Sequence, residues 1–223
     1  MNKKEETSAA QIKIKKILPL LKKMHPQARC ELNHRNPWEL LVATILSAQC
    51  TDKKVNQVTP ALFQRYPTIR AYAESEPSEL ERYIKSTGFF HNKAKMIKQC
   101  AQEILNRFGG KVPDRLEDLV SLPGIGRKTA NVILGVAFGL PGIVVDTHVL
   151  RVSERLGLTK NRDPVKVEFD LQELVPRSEW TNFSFLLVFH GRYLCNARKP
   201  RCNECLLRPE CEFFQKAPST LKK

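Results

Sequence analysis

The chain has 223 residues, 37 of them Lys or Arg against 23 Asp or Glu, and the formal excess of +14 recurs along its whole length instead of sitting in one tail. Such a balance points to a folded surface that meets a polyanion. A membrane-spanning reading is excluded, since nothing approaches ~20 consecutive apolar residues and the stretch Val132 to Val145 is broken by Gly135, Gly139, Pro141 and Gly142. The opening MNKKEETSAAQIKIKKILPLLKK has no apolar core followed by a cleavage site, so a cytoplasmic, nucleoid-associated monomer is expected. In that compartment seven cysteines point to metal or redox chemistry rather than disulfides.

Taken in chain order, apolar residues recur at three- and four-residue spacings in Ile12–Leu21, Trp38–Leu46, Val55–Phe63, Ala94–Phe108 and Val165–Leu174. That is the period of an amphipathic helix, and strand alternation is nearly absent. Helix boundaries are punctuated. Asn36 can cap a helix that Pro37 begins, with Glu39 reaching back, and Asp163-Pro164 repeats the device. Gly109-Gly110 supplies a left-handed stop after Phe108. The reading is an all-α chain of about ten helices, with Lys222-Lys223 as a frayed tail.

Residues 122–134, LPGIGRKTANVIL, carry two glycines in a tight turn between a short helix, Leu116 to Leu122, and a following one. Glycines at such a turn let backbone N–H groups at a helix N-terminus approach a phosphate without reading a base. A plain helix-to-helix turn accounts for the same glycines. Lys128 sits in the first helical turn, where a cation is disfavoured by the helix dipole and by Arg127. Partial burial there would make a neutral, nucleophilic amine accessible near neutral pH, while a solvated phosphate contact is the other reading. Asp146 follows the apolar run Ile143-Val144-Val145 and begins a helical pattern, as a helix cap or as a carboxylate delivered to a cleft. His148 reads as a hydrogen-bonded core histidine or as part of the same site.

Cys195, Cys202, Cys205 and Cys211 are spaced C-x6-C-x2-C-x5-C. Four thiols in one short loop imply a shared metal, and the spacing alone leaves zinc and an iron-sulfur cluster both open. Cys30, Cys50 and Cys100 read as inert buried thiols. Arg198, Lys199 and Arg201, between the first two ligands, form a ready phosphate clamp.

LPGIGRKTANVILGVAFG followed by VDTHVLRV resembles the helix-hairpin-helix and Gly/Pro-Asp loop of the endonuclease III family of DNA glycosylases. LLVATILSAQCTDKKVN, IKSTGFFHNKAKMI and HGRYLCNARKPRCNECLLRPEC are similar to further stretches of that family, in the same order, from about Glu31 to Phe213. The resemblance implies a six-helix barrel over residues 30–140 that contains the hairpin. It also implies a discontinuous iron-sulfur domain from residues 1–29 and 141–223, with the active site in a cleft between the two. It implies excision of oxidised pyrimidines from double-stranded DNA and cleavage of abasic sites, with Lys128 as nucleophile, Asp146 as catalytic carboxylate and a 4Fe-4S cluster on the four cysteines. It also implies DNA contacts at Gln49, Asp52, Phe89, Gly124, Gly126, Arg127 and His148. Gln49 matches a residue that fills the vacated base stack, and Phe89 stands where a leucine wedge is expected. Two alternatives are a non-enzymatic hairpin module with a zinc loop and a monofunctional adenine glycosylase acting at mispairs.

Overall fold

A computed structural model describes residues 3–216; Lys222 and Lys223 lie outside them. The described residues form helices and connecting turns, with no strand among them. In chain order the helices are α1 (Lys3–Met24), α2 (Pro37–Leu46), α3 (Asp52–Arg65), α4 (Ile69–Ala73), α5 (Pro77–Ile84), α6 (Phe90–Phe108) and α7 (Leu116–Val120). There follow α8 (Arg127–Ala137), α9 (Thr147–Leu156), α10 (Pro164–Leu174), α11 (Trp180–Tyr193) and α12 (Glu212–Lys216). The all-α expectation holds. The count of about ten is corrected upward to twelve among the described residues, because the five-residue α4, α7 and α12 are too short to show a period.

The caps explain where several helices begin. Asn36 Oδ1 accepts the Glu39 amide at 2.9 Å, and Glu39 reaches back to the Arg35 amide at 2.8 Å. Thr51, Thr68 and Asp163 cap α3, α4 and α10 in the same manner. At the end of α6, Gly109 and Gly110 both take positive φ, and the Gly110 amide closes onto the Ile104 carbonyl at 3.0 Å. The short helix before the glycine turn ends at Val120, with Ser121 as its C-cap, two residues earlier than the periodicity indicates.

The chain divides into two compact units, one being Cys30–Leu140 and the other joining the chain before Cys30 to the chain from Pro141 on. In the continuous unit α6 packs against α4, α5 and α2, and α8 packs against α2 and α7. Its core includes the fully buried Leu40, Leu62, Tyr72, Leu80, Ile84 and Ile97. The Trp38 and Tyr72 rings meet edge to face, 5.2 Å between centroids.

In the discontinuous unit Ile14, Ile17 and Leu21 of α1, Val149, Val152 and Leu156 of α9, and Val167, Leu171 and Leu174 of α10 close on Phe183, Leu186 and Leu187 of α11. Each helix repeats apolar residues at three- and four-residue steps, so one face of each is buried. Removing the Phe183 ring from this centre costs about 3–5 kcal/mol. Helices α9 and α11 approach closely at Gly191, where a Cβ would stand only 2.8 Å from the His148 Cβ.

Candidate functional site

The continuous unit carries the glycine turn. Leu122 and Ile125 are buried and anchor it, leaving Gly124 and Gly126 at the surface. The two glycines have different reasons for being there. Gly124 has φ +78 and lies against Met96, whose Cβ would be 3.1 Å from an added Cβ, so the fold itself demands glycine. Gly126 has an ordinary φ of −89 and open space where a side chain would go. As the N-cap of α8 it offers no side chain to the first-turn amides, which leaves that end of the helix open to an outside acceptor.

Arg127 and Lys128 are the first two residues of α8. Lys128 is exposed, since its first-turn position faces outward, so the partial burial that would favour a neutral amine is absent in the chain as described. Two further predicted contact residues stand out by backbone conformation. Gln49, in the turn between α2 and α3, has φ 52, and Phe89, the N-cap of α6, has φ 48; no other non-glycine residue among those described has positive φ. Phe89 is 64% exposed, unusual for a large apolar ring, and Gln49 is exposed as well. Asp52 opens α3 behind the Thr51 cap. Cys50 is half-buried, with its thiol facing the Thr51 carbonyl, and Cys30 is half-buried as well. Of the three isolated cysteines only Cys100 is fully buried, so the inert buried reading is corrected for the other two, which lie in loops.

The discontinuous unit carries Asp146. The buried extended run Ile143 to Val145 is held to α11, where Ser184 Oγ accepts the Val144 amide at 2.9 Å and Thr181 Oγ1 accepts the Gly142 amide at 3.3 Å. This run delivers Asp146 to the start of α9. Its Oδ1 accepts both the His148 and the Val149 amides at 2.8 Å, and Oδ2 takes part in neither bond. His148 Nδ1 lies 3.1 Å from Arg151 Nη2. A guanidinium only donates, so Nδ1 is the acceptor and the imidazole proton sits on Nε2. Burial lowers the His148 pKa, and the Asp146 charge opposes that shift.

Sequence reasoning missed the supports of the cysteine loop. From the far half of α9, Arg155 donates to the Asn196 and Ala197 carbonyls at 2.8 Å and to Cys195 Sγ at 3.2 Å, while Arg151 donates to the Cys195 carbonyl at 3.2 Å. The four-residue spacing of these arginines on one helix face was the available signal. His190 Nε2 lies 3.7 Å from Cys205 Sγ. Among the three predicted clamp cations Arg198 and Lys199 are exposed. Arg201 is also exposed, but is engaged within the loop by Glu204 at 3.2 Å and by the Tyr193 carbonyl.

All four cysteines line one pocket, together with Arg155, Arg208, His190 and the Phe213 and Phe214 rings. Among the described residues no three metal-ligating side chains close on a single point. Burial pushes the Cys205 thiol up to about 11 and raises Cys202 and Cys211 in the same direction. Thiols so placed need metal cations to hold them as thiolates, and nearby arginines suit the negative charge that a thiolate-ligated group carries.

Residues 42–177 match the HhH-GPD superfamily of base excision DNA repair proteins. Endonuclease III of Synechocystis sp. is 56% identical over 200 residues, 89% of this chain and 91% of that protein. Two solved structures are similar along nearly all of the chain. A trapped covalent endonuclease III-DNA intermediate, an estranged-adenine complex, is 44% identical with a TM-score of 0.88, covering 92% of this chain and 97% of that one. A non-covalent endonuclease III-DNA complex is 42% identical with a TM-score of 0.89, covering 96% and 99%. Identity at this level across most of both chains, in a shared helical fold, places the protein in the endonuclease III family of base excision DNA repair enzymes.

Proposed function

We infer that the protein is a bifunctional DNA glycosylase and abasic-site lyase that removes oxidised pyrimidines from double-stranded DNA, with Lys128 as the attacking amine and Asp146 as the carboxylate. The observation that carries this reading is Lys128 in the first turn of α8, behind a glycine turn open to phosphate, in a chain 44% identical to a protein trapped in covalent union with DNA. A damaged base stacked in a duplex hides its C1′ from any side chain, so the nucleotide is first turned out.

The Lys128 amine, once it has given up its proton, attacks C1′, the glycosidic bond breaks, and its electron pair leaves with the base, which takes up a proton. The nitrogen loses a proton, and its lone pair opens the sugar ring to give an iminium, with the ring oxygen protonated. That iminium acidifies C2′–H. Loss of this proton sends electrons toward C3′, whose C–O bond breaks with the 3′ phosphate as leaving group; water later releases the lysine. Asp146, fixed through Oδ1 by two amides, offers Oδ2 to the positive charge that develops on the sugar and to the proton lost by the amine.

The four cysteines would hold a 4Fe-4S cluster, which when bound supplies iron-thiolate bonds that fasten the loop. The chain's own part is to aim that loop: Arg151 and Arg155 hold its first turn, and Arg198 and Lys199 stand exposed for phosphates. The decisive experiment is a panel of duplexes, each with one oxidised pyrimidine, incubated with the pure protein. Base release together with strand cleavage is expected. Release without cleavage would indicate a monofunctional glycosylase, and binding without release a non-enzymatic hairpin module.

A further inference from the structure

Lys93 is buried to 4% exposure in the first turns of α6, and it belongs to neither the lysine-carboxylate chemistry nor the cysteine loop. Its ammonium donates to the Leu46 carbonyl at 2.8 Å and to the Thr87 carbonyl at 2.8 Å. Leu46 is the last residue of α2, so its carbonyl is one of those a helix leaves unpaired, and the negative end of the α2 dipole meets the cation. Thr87 closes the turn that leads into α6. One side chain thus joins two segments that are 41 residues apart in sequence, by the difference between positions 87 and 46.

What lies just beyond each clamped carbonyl gives the contact its meaning. Three residues after Leu46 comes Gln49, and two residues after Thr87 comes Phe89, the two non-glycine residues with left-handed backbone among those described. A left-handed backbone at such residues persists only where the surroundings hold it. Burial lowers the Lys93 pKa, with the nearby Cys50 thiol opposing the shift. A buried lysine is disfavoured unless its partners are well placed, and here both partners are backbone atoms of the turns themselves.

We propose that Lys93 is a positioning residue that locks the Gln49 turn and the Phe89 turn into one arrangement, so that the two side chains enter the DNA stack as a pair. This rests on the reading of Gln49 and Phe89 as residues that insert into the duplex. The lysine touches neither the DNA nor the reacting sugar. It acts by removing the independent motion of the two turns, so that neither has to be ordered when DNA arrives.

The test compares two substrates, a duplex with a paired oxidised pyrimidine and a single strand with an abasic site, where no base stack has to be entered. Lys93→Met keeps a long unbranched stem and loses the donors. It should lower turnover of the duplex lesion by about tenfold or more while changing abasic-strand cleavage less than about twofold. Adding Phe89→Ala to Lys93→Met should then cost less than the product of the two separate losses, since both disturb one unit. Equal losses on both substrates, or losses that simply multiply, would overturn the clamp. If Phe89→Ala and Gln49→Ala each affect both substrates alike, the insertion reading fails and the clamp with it, an outcome distinct from a failure of Lys93→Met alone. Should Lys93→Met fold too poorly to purify, Lys93→Arg carries the test. Its planar head cannot hold both carbonyls in the same geometry, so the ratio of duplex to abasic-strand activity should fall by about threefold, and an unchanged ratio would overturn the proposal.

Discussion

Asp146 binds the backbone of His148 through a single carboxylate oxygen, Oδ1, which the Val149 amide shares at the same 2.8 Å. On the proposed mechanism, capping and chemistry are thereby divided between the two oxygens of one side chain. Asparagine caps as well as aspartate, so Asp146→Asn should unfold within about 0.5 kcal/mol of the parent, whereas Asp146→Ala should lose about 1 kcal/mol. Base release should fall by about 10²- to 10⁴-fold in both. Urea denaturation set beside single-turnover base release checks the division, and a variant that keeps the cap and the activity together would remove Asp146 from the chemistry.

Borohydride added during turnover should reduce the imine and leave a permanent protein-DNA adduct. Lys128→Gln should form none and lose more than about a thousandfold in base release, while affinity for undamaged duplex changes little. Peptide mapping of the adduct locates the amine; an adduct that persists in Lys128→Gln assigns attack to a different residue and leaves Lys128 as a phosphate contact.

The two turn glycines should respond oppositely to alanine. Gly124→Ala meets a positive φ and the Met96 side chain, so it should destabilise the protein by about 1–3 kcal/mol and lower the melting temperature by several degrees. Gly126→Ala meets neither, so its thermal stability should stay within about 0.5 kcal/mol of the parent. Its DNA affinity should nevertheless drop, because the new methyl group stands where a phosphate comes closest. Unchanged affinity in Gly126→Ala would mean that the turn does not hold phosphate.

Iron content should track the cysteines. Protein prepared without oxygen should carry iron and no stoichiometric zinc, and Cys202→Ser should lose iron and bind duplex more weakly. For the parent, log K should fall with log[salt] at about −0.9 per phosphate neutralised. A flat salt response would separate the +14 excess from DNA binding.

His148 sets a pH dependence whose sign follows from its burial. Its pKa in the folded chain is below 6.5, while the unfolded chain takes the ordinary value, so between the two the unfolded form binds the extra proton. Stability contributed this way is present above about pH 6.5 and is lost as the pH falls through that window. Denaturant midpoints at about pH 7 and pH 5.5 should therefore differ more in the parent than in His148→Gln. Equal differences would show that the imidazole does not titrate abnormally.

Legibility in the sequence followed the range of the forces involved. The caps at Asn36 and Asp163 and the stop at Gly109-Gly110 are local, and the residues that make them stand within a few positions of one another. The family motifs marked the glycine turn, Asp146 and the cysteine loop for the same reason. Lys93 was hidden, since an exposed lysine and a buried one are identical letters and its partners are backbone carbonyls as far as 47 residues away. Arg151 and Arg155 were hidden likewise: their spacing was visible, but the loop they hold begins at Cys195, 44 and 40 residues later. The short α4, α7 and α12 lacked enough turns to display a period.

Helix α9 has a second consequence. Its ten residues make a rod about 15 Å long, capped by Asp146 at one end and fastened through Arg151 and Arg155 to the cysteine loop toward the other. A short, stiff rod transmits orientation along its axis. The Asp146 carboxylate is thus held twice, from the run Ile143 to Val145 that delivers it and, along α9, from the loop that Arg151 and Arg155 grip; on the proposed function, loss of the loop's metal group would leave the first hold in place and loosen the second.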